Sequence, residues 1–214
     1  MPAFTTEGII IKRRNFGEAD RILTMLTPFR GKITVMAKGV RRITSRRGGN
    51  VELLNRVNLH LFQGSGMPVL SEAESVETYD KLKSDLVLSS YASHIMELLD
   101  RLIAENQANP EVYQLAKAAL DILQENPRQV FIRAFEVKLL SILGFWSLSQ
   151  VETSAETKNL LEKLGDSDWL TISRLKISKE QALEVERILR YYIEKVLESS
   201  LKSVQIIQKL KDKK

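Results

Sequence analysis

The hydrophobic period of this chain changes once, near Tyr79, from two residues to between three and four, and no single regular element accommodates both. Before that point Ile33, Val35 and Ala37 alternate with Lys32, Thr34, Met36 and Lys38. Val57, Leu59 and Leu61 alternate in the same way with Asn58, His60 and Phe62. Successive side chains of a strand point to opposite faces, so each run predicts a strand with one buried face. Glu7–Arg14 and Arg21–Thr27, rich in Ile, Leu and Thr, are predicted strands too, and Val69–Val76 makes a fifth. Turn chemistry separates them: Asn15-Phe16-Gly17, Pro28-Phe29-Arg30-Gly31, and Gln63-Gly64-Ser65-Gly66-Met67-Pro68. Five strands with one longer excursion, Gly39–Asn55, between the third and fourth match a five-stranded oligonucleotide-binding (OB) barrel. A generic small barrel of the SH3-like kind is the alternative.

After Tyr79 the apolar residues Leu88, Tyr91, Ile95, Leu98, Leu99, Leu102 and Ile103 recur at threes and fours, the spacing of one helix face. Asn109-Pro110-Glu111 predicts an N-cap followed by proline at the first helical position, and Asn126-Pro127-Arg128-Gln129 predicts the same. The second signal opens a helix from Pro127 to about Leu143, apolar on most sides and therefore central, which Gly144 stops. Ser147–Ile177 is the least regular stretch, with a short helix predicted from Ser154 to Leu164 and ended by Gly165. Ser178-Lys179-Glu180-Gln181 is a capping-box start. Behind it Val185, Ile188, Leu189, Tyr192, Ile193, Val196 and Leu197 form a stripe that predicts core rather than a cofactor box. The basic tail Lys209–Lys214 is expected to fray. The expected class is α+β: an OB barrel over residues 1–78, then an all-α domain over residues 79–214.

Composition narrows the function more than the fold. With 43% hydrophobic and 28% charged residues the chain has the make-up of a folded domain. It has no cysteine, which removes disulfides, thiolate zinc sites and cysteine nucleophiles. The start, from Met1 into Thr5-Thr6-Glu7, has no basic-then-apolar signal pattern, and no apolar run reaches the roughly 18 residues of a membrane span. A soluble, cytoplasmic protein is expected. The two histidines, His60 and His94, have no cysteine or carboxylate pair beside them and predict packing rather than a metal site. No phosphate-cradling G-x-x-x-x-G-K-[ST] sequence is present. Gly48-Gly49 is expected to lend flexibility beside the arginines, and Glu18 and Asp20 to form structural salt bridges. Neither an enzyme nor a cofactor is expected.

The net charge of +5 is unevenly placed. Between Lys12 and Arg56 twelve Lys/Arg stand against Glu18, Asp20 and Glu52, a net of +9. Such a concentration is the footprint of a polyanion partner, with a solvated basic surface as the plain alternative. Lys12-Arg13-Arg14 ends the first strand, Arg30 and Lys32 bracket the second turn, and Lys38, Arg41, Arg42, Arg46 and Arg47 fill the excursion. On a barrel they are expected to line one groove that follows a phosphate backbone. Phe16 and Phe29 lie in turns beside arginines, and Phe62 shares a strand face with His60. Exposed rings on a basic track are stacking platforms for bases; rings turned inward plug the barrel ends. Both readings stand for Phe16 and Phe29.

Several short motifs agree in order and spacing with a known family. Gly17-Glu18-Ala19-Asp20, Leu26-Thr27-Pro28-Phe29-Arg30-Gly31-Lys32, Ala37-Lys38-Gly39-Val40-Arg41-Arg42 and Ser45-Arg46 resemble the N-terminal domain of the bacterial recombination mediator RecO. Phe135–Phe145 and Arg190–Ser203 are similar to the helical part of the same family. The resemblance implies binding of single- and double-stranded DNA, annealing of complementary strands, and RecR-assisted loading of RecA on strands coated by single-strand binding protein. It implies a cytoplasmic, nucleoid-associated setting. It assigns DNA contacts to Arg21, Arg30, Lys32, Lys38, Arg41, Arg42 and Arg46; Arg13, Arg14 and Arg47 join them by charge and neighbourhood. Many relatives carry a four-cysteine zinc module after the position of Phe145. This chain lacks it, so Ser147–Ile177 is expected to be held by packing and hydrogen bonds. An RNA-binding barrel and a duplex-DNA regulator remain the competing readings, the latter disfavoured by the near-neutral helical half.

Overall fold

The computed structural model of the protein describes residues 2–64 and 66–198, together with 201, 203, 204, 207 and 210. The basic tail at 209–214 lies outside the described residues except for Leu210. Strands β1 (Ala3–Phe16), β2 (Asp20–Thr27), β3 (Gly31–Ala37), β4 (Arg56–Phe62) and β5 (Val69–Glu77) are followed by α1 (Asp80–Ser84), α2 (Leu86–Leu102) and α3 (Pro110–Glu125). Then come α4 (Val130–Ile142), a 3-10 turn at Leu148–Gln150, α5 (Ala155–Asp166), α6 (Trp169–Ser173) and α7 (Lys179–Leu197). The strands close into a barrel in the order β1-β2-β3-β5-β4, which is the OB-fold.

One strand makes that closure possible. β1 pairs with β4 along Ala3–Ile9 and with β2 along Ile9–Phe16. Its register shifts between Ile10 and Lys12, and the extra residue of that bulge lets Ile9, Ile10 and Ile11 all bury instead of alternating. Asn15 and Phe16 belong to this strand, opposite Arg21 and Asp20, so the turn is shorter than the sequence suggested. The barrel core gathers Ile10, Leu23, Met25, Val35, Leu59 and Leu61, each worth about 1.5–3 kcal/mol on full burial. Val40 and Val51 join it from the 38–55 excursion, which is therefore anchored in the core and not a loose loop. Gly48 is part of that anchoring: a Cβ there would sit 2.7 Å from the Val40 carbonyl oxygen. The expected flexibility at Gly48 gives way to a close contact.

By contacts the chain divides into one unit of Met1–Lys83 with Met96–Gln114 and another of Ser84–Ile95 with Leu115–Lys214. In the first unit, residues 96–114 pack on the barrel. Lys12 pairs with Asp100 at 2.6 Å, the Asn106 N–H donates to the Lys32 carbonyl at 2.9 Å, and the Tyr113 hydroxyl donates to Glu7. Gly31 makes this docking possible. Its φ is +67°, and a Cβ would lie 2.0 Å from the Gln107 carbonyl oxygen.

In the second unit α4 packs against α5, α6 and α7 and buries Phe131, Ile132, Phe135, Val137, Leu139 and Leu140, the central role expected of it. It starts at Val130, three residues after the proline, because the Asn126 N–H still donates to the Ile122 carbonyl and so closes α3. In the first unit the signal at Asn109 holds: its side chain accepts the Val112 N–H at 3.1 Å. Gly144, with φ +75°, ends α4 as expected. Gly165 does not end α5; it lies inside that helix, where a Cβ would press to 3.2 Å on Val137. Its role is to let α5 approach α4. The stretch after Phe145 is held as expected, by buried Val151, Leu161, Leu164 and Ile172 and by Thr157 donating to Glu184 at 2.6 Å.

His94 and Glu136 are both 1% exposed, with His94 Nε2 2.6 Å from Glu136 Oε1 and Arg133 donating to both carboxylate oxygens. Burial alone would raise the Glu136 pKa, but Arg133 and His94 outweigh it and hold the carboxyl below its ordinary value.

Two outcomes follow from these contacts. Gly17→Ala, at φ +55° with open space around it, should cost only the ~1 kcal/mol of a left-handed alanine, whereas Gly31→Ala should lower the urea midpoint much further. Equal costs would mean that 96–114 does not press on Gly31. A carboxylate depressed in the folded state stabilises above its unfolded pKa and loses that contribution as pH falls through the folded value. Thermal unfolding should therefore move to lower temperature as pH drops from about 5 to 3, and Glu136→Gln should weaken that dependence while costing about 3–5 kcal/mol at neutral pH.

Candidate nucleic-acid interface

The ten basic residues singled out in the sequence divide according to what already holds them. Arg13 and Arg21 converge on one carboxylate: Arg21 Nη1 lies 2.8 Å from Glu52 Oε1, and Arg13 closes on Oε2. Lys32 is 7% exposed and its ammonium donates to the Asp100 carbonyl, which removes it from the solvent-facing surface. Arg47 donates to the carbonyls of Leu70 (3.0 Å), Ser71 (2.9 Å) and Lys38 (3.0 Å), a structural staple between the excursion, β5 and the end of β3. Arg41 donates to the Gly17 carbonyl at 3.1 Å, tying the excursion to the β1–β2 turn while staying exposed. Arg30 lays its guanidinium on the Phe4 ring, 3.8 Å from its centroid.

Arg14, Lys38, Arg42 and Arg46 are exposed and have no side-chain partner among the described residues. Lys38, Arg42 and Arg46 line one open groove of about 560 Å³ together with Arg47 and Asp20. Among the described residues Asp20 forms no salt bridge, contrary to expectation; its carboxylate instead accepts the Gly39 N–H at 2.7 Å, which shapes the turn after β3. The cations do not form the single groove the sequence suggested. Arg30 lines a second groove of about 590 Å³, with Phe4, Phe29, Gln63 and Met67, and the two share no residue.

The rings are not plugs. Phe16 is 51% exposed, Phe29 78% and Phe62 42%, the last edge-on to His60 at 5.7 Å. Two features escaped the sequence reading. Ile43 is fully exposed between Arg42 and Thr44, and the Arg30–Phe4 stack joins residues whose chain separation gives no periodic signal. Among the described residues no three His, Asp or Glu side chains gather as metal ligands, and no helix is long and apolar enough to cross a membrane.

Residues 1–79 match the family described as recombination protein O, N terminal, and residues 83–146 and 148–205 match its C-terminal counterpart. The chain belongs to the RecO family. It is 39% identical to the DNA repair protein RecO of Symbiobacterium thermophilum over 68% of this chain, and 36% identical to that of Acetivibrio thermocellus over 65%. Those matches span 58% and 57% of the relatives' own length. The RecO of Pelotomaculum thermopropionicum, 26% identical, aligns over 98% of this chain and 95% of its own. The RecO N-terminal match covers the whole barrel, including the groove of Lys38, Arg42 and Arg46.

Because Arg47 is bonded to carbonyls and Arg42 and Arg46 are not, their alanine variants should part company. Arg47→Ala should destabilise the barrel by about 1–3 kcal/mol by leaving carbonyls without donors. Arg42→Ala/Arg46→Ala should leave the denaturation midpoint within about 0.5 kcal/mol of the parent. Urea titration followed by circular dichroism separates the two.

Proposed function

We propose that this chain is a non-enzymatic DNA-binding protein of recombinational repair that holds single strands and duplex on its barrel and anneals complementary strands. The observation that carries the reading is the groove of Lys38, Arg42 and Arg46, where cations without side-chain partners among the described residues stand together on an OB barrel. Cations already neutralised by carboxylates add little to polyanion binding; unpaired ones exchange their counterions for phosphates. Phosphate contacts position a strand without reading its bases. Two strands repel through their backbones, and a basic surface that engages both lowers that repulsion while leaving base edges free to pair. Neither a nucleotide nor a metal enters this scheme.

Family membership and the relatives' name, DNA repair protein RecO, support the setting. The RecO resemblance adds the partners: RecR, single-strand binding protein, and RecA indirectly, with a nucleoid-associated place of work. The DNA contacts proposed are Lys38, Arg42 and Arg46 first, with Arg14 and Arg41 at the flank. Arg13 joins if a phosphate displaces Glu52 from it, since an exposed pair of this kind is worth at most about 1 kcal/mol; Arg21, part-buried against the same carboxylate, follows only at greater cost.

With three groove cations engaged, the logarithm of single-strand affinity should fall with that of salt at a slope of about −2, and Arg42→Ala/Arg46→Ala should shallow it by about 1.4. Annealing of two labelled oligonucleotides, with chelator and no nucleotide, should exceed the protein-free rate. A slope near zero overturns the groove; a rate at or below the control leaves a DNA binder that does not anneal. RNA outcompeting DNA at equal salt favours the RNA-binding reading.

A further inference from the structure

The second groove is not explained by phosphate tracking. Phe29 stands 78% exposed at the β2–β3 turn, and that turn is fixed: Thr27 Oγ1 donates to the Gly31 carbonyl at 2.8 Å and accepts the Arg30 N–H at 3.2 Å. The ring is thus presented by a rigid support, so little entropy is lost when a flat partner settles on it. Beside it the Arg30 guanidinium lies on Phe4, one face already covered, and its side-chain N–H donors have no hydrogen-bond partner among the described residues. Gln63 spends its amide N–H on the carbonyls of Gly64 and Gly66, both at 3.1 Å, and so keeps its carbonyl as an acceptor. Met67, 37% exposed, supplies a polarisable apolar wall.

A platform ring, a planar cation, an amide acceptor and an apolar wall are what a nucleobase uses: a face to stack on and edges to hydrogen-bond. The volume of about 590 Å³ falls within the range of small-ligand sites. Glu105 also lines this groove, and its carboxylate disfavours a run of phosphates there. The two grooves lie toward opposite ends of β2. Asp20, which lines the first, begins β2, and Phe29 carries the second on the β2–β3 turn, so the seven residue steps of β2 separate those two points by roughly 23 Å.

We propose that the barrel has two nucleic-acid sites: a phosphate groove at Lys38, Arg42 and Arg46, and a base-stacking groove at Phe29, Arg30 and Met67 that takes one or two nucleotides of a separate segment. This rests on the nucleic-acid reading of the first groove and deepens it. A single chain then holds two strands at once, one by its backbone and one by its bases.

The test counts bound oligonucleotides. The full chain is titrated at low salt with a thymidine dinucleotide, far shorter than the roughly 23 Å along β2, and bound oligonucleotide per chain is measured at saturation by equilibrium dialysis. Two per chain are expected. Phe29→Ala/Met67→Ala and Arg42→Ala/Arg46→Ala should each leave one, and Phe29→Tyr, which keeps the ring, should restore two in place of Phe29→Ala. Annealing should fall about tenfold with Phe29→Ala. One oligonucleotide per chain, lost in Arg42→Ala/Arg46→Ala and indifferent to Phe29, would overturn the second site and leave the first. The same result would follow if the groove instead docks a protein segment. No bound oligonucleotide in the parent chain would overturn both.

Discussion

The guanidinium of Arg47 donates to carbonyls on both sides of the place where β3 meets β5. There the ladder is at its thinnest. One parallel pair, Met36 with Val69, carries the closure, supported by the Met36 N–H donating to the Pro68 carbonyl at 2.8 Å. Hydrogen bonds from a charged donor are about twice as strong as neutral ones. By bridging Lys38 to Leu70 and Ser71, Arg47 supplies at this junction the pairing that the strands do not. The excursion of residues 38–55 is thereby fixed as well, with Val40 and Val51 in the core and Asn50 and Asn55 bonded to backbone carbonyls. The position of Arg42 and Arg46 in solvent is a consequence of that fixation.

The same charge type thus does opposite things within a few residues. Arg47 is half-buried and bonded to carbonyls; Arg42 and Arg46 are exposed and have no side-chain partner among the described residues. Glu52 divides the first-strand cations in the same manner, holding Arg13 and leaving Arg14. A carbonyl partner leaves the charge of Arg47 intact but occupies its donors, whereas Glu52 offsets the charge of Arg13 itself; what a phosphate can engage is therefore set by the partners of the arginines as much as by their number.

The barrel was legible in the chain because period-two alternation is a local signal and its five runs survive as strands. The capping box at Ser178 and the cap at Asn109 were legible for the same reason, each being settled within four residues. The fate of individual cations was not. Arg21 finds its carboxylate at Glu52 and Lys32 its carbonyl at Asp100, partners that only the fold brings near. Gly165 and Gly48 misled because glycine reads as a break, whereas each marks a spot where another segment comes too close for a side chain. Pro127 misled because α3 ends only at Glu125 and the Asn126 N–H still closes it, leaving no room for a new helix until Val130.

β1 serves two partners, and this sets an order on how the barrel comes into being. Ile9 is paired with Leu26 on one side and Arg56 on the other. During synthesis the first half of β1 must wait for β4, whose last residue lies about 60 positions later, while the second half finds β2 almost at once. The isoleucines at 9, 10 and 11, buried in the finished barrel, lie at the junction of the early and the late pairing. A nascent chain halted before β4 would hold a hairpin with a greasy, half-paired edge, a form open to pairing with other chains and suited to chaperone capture.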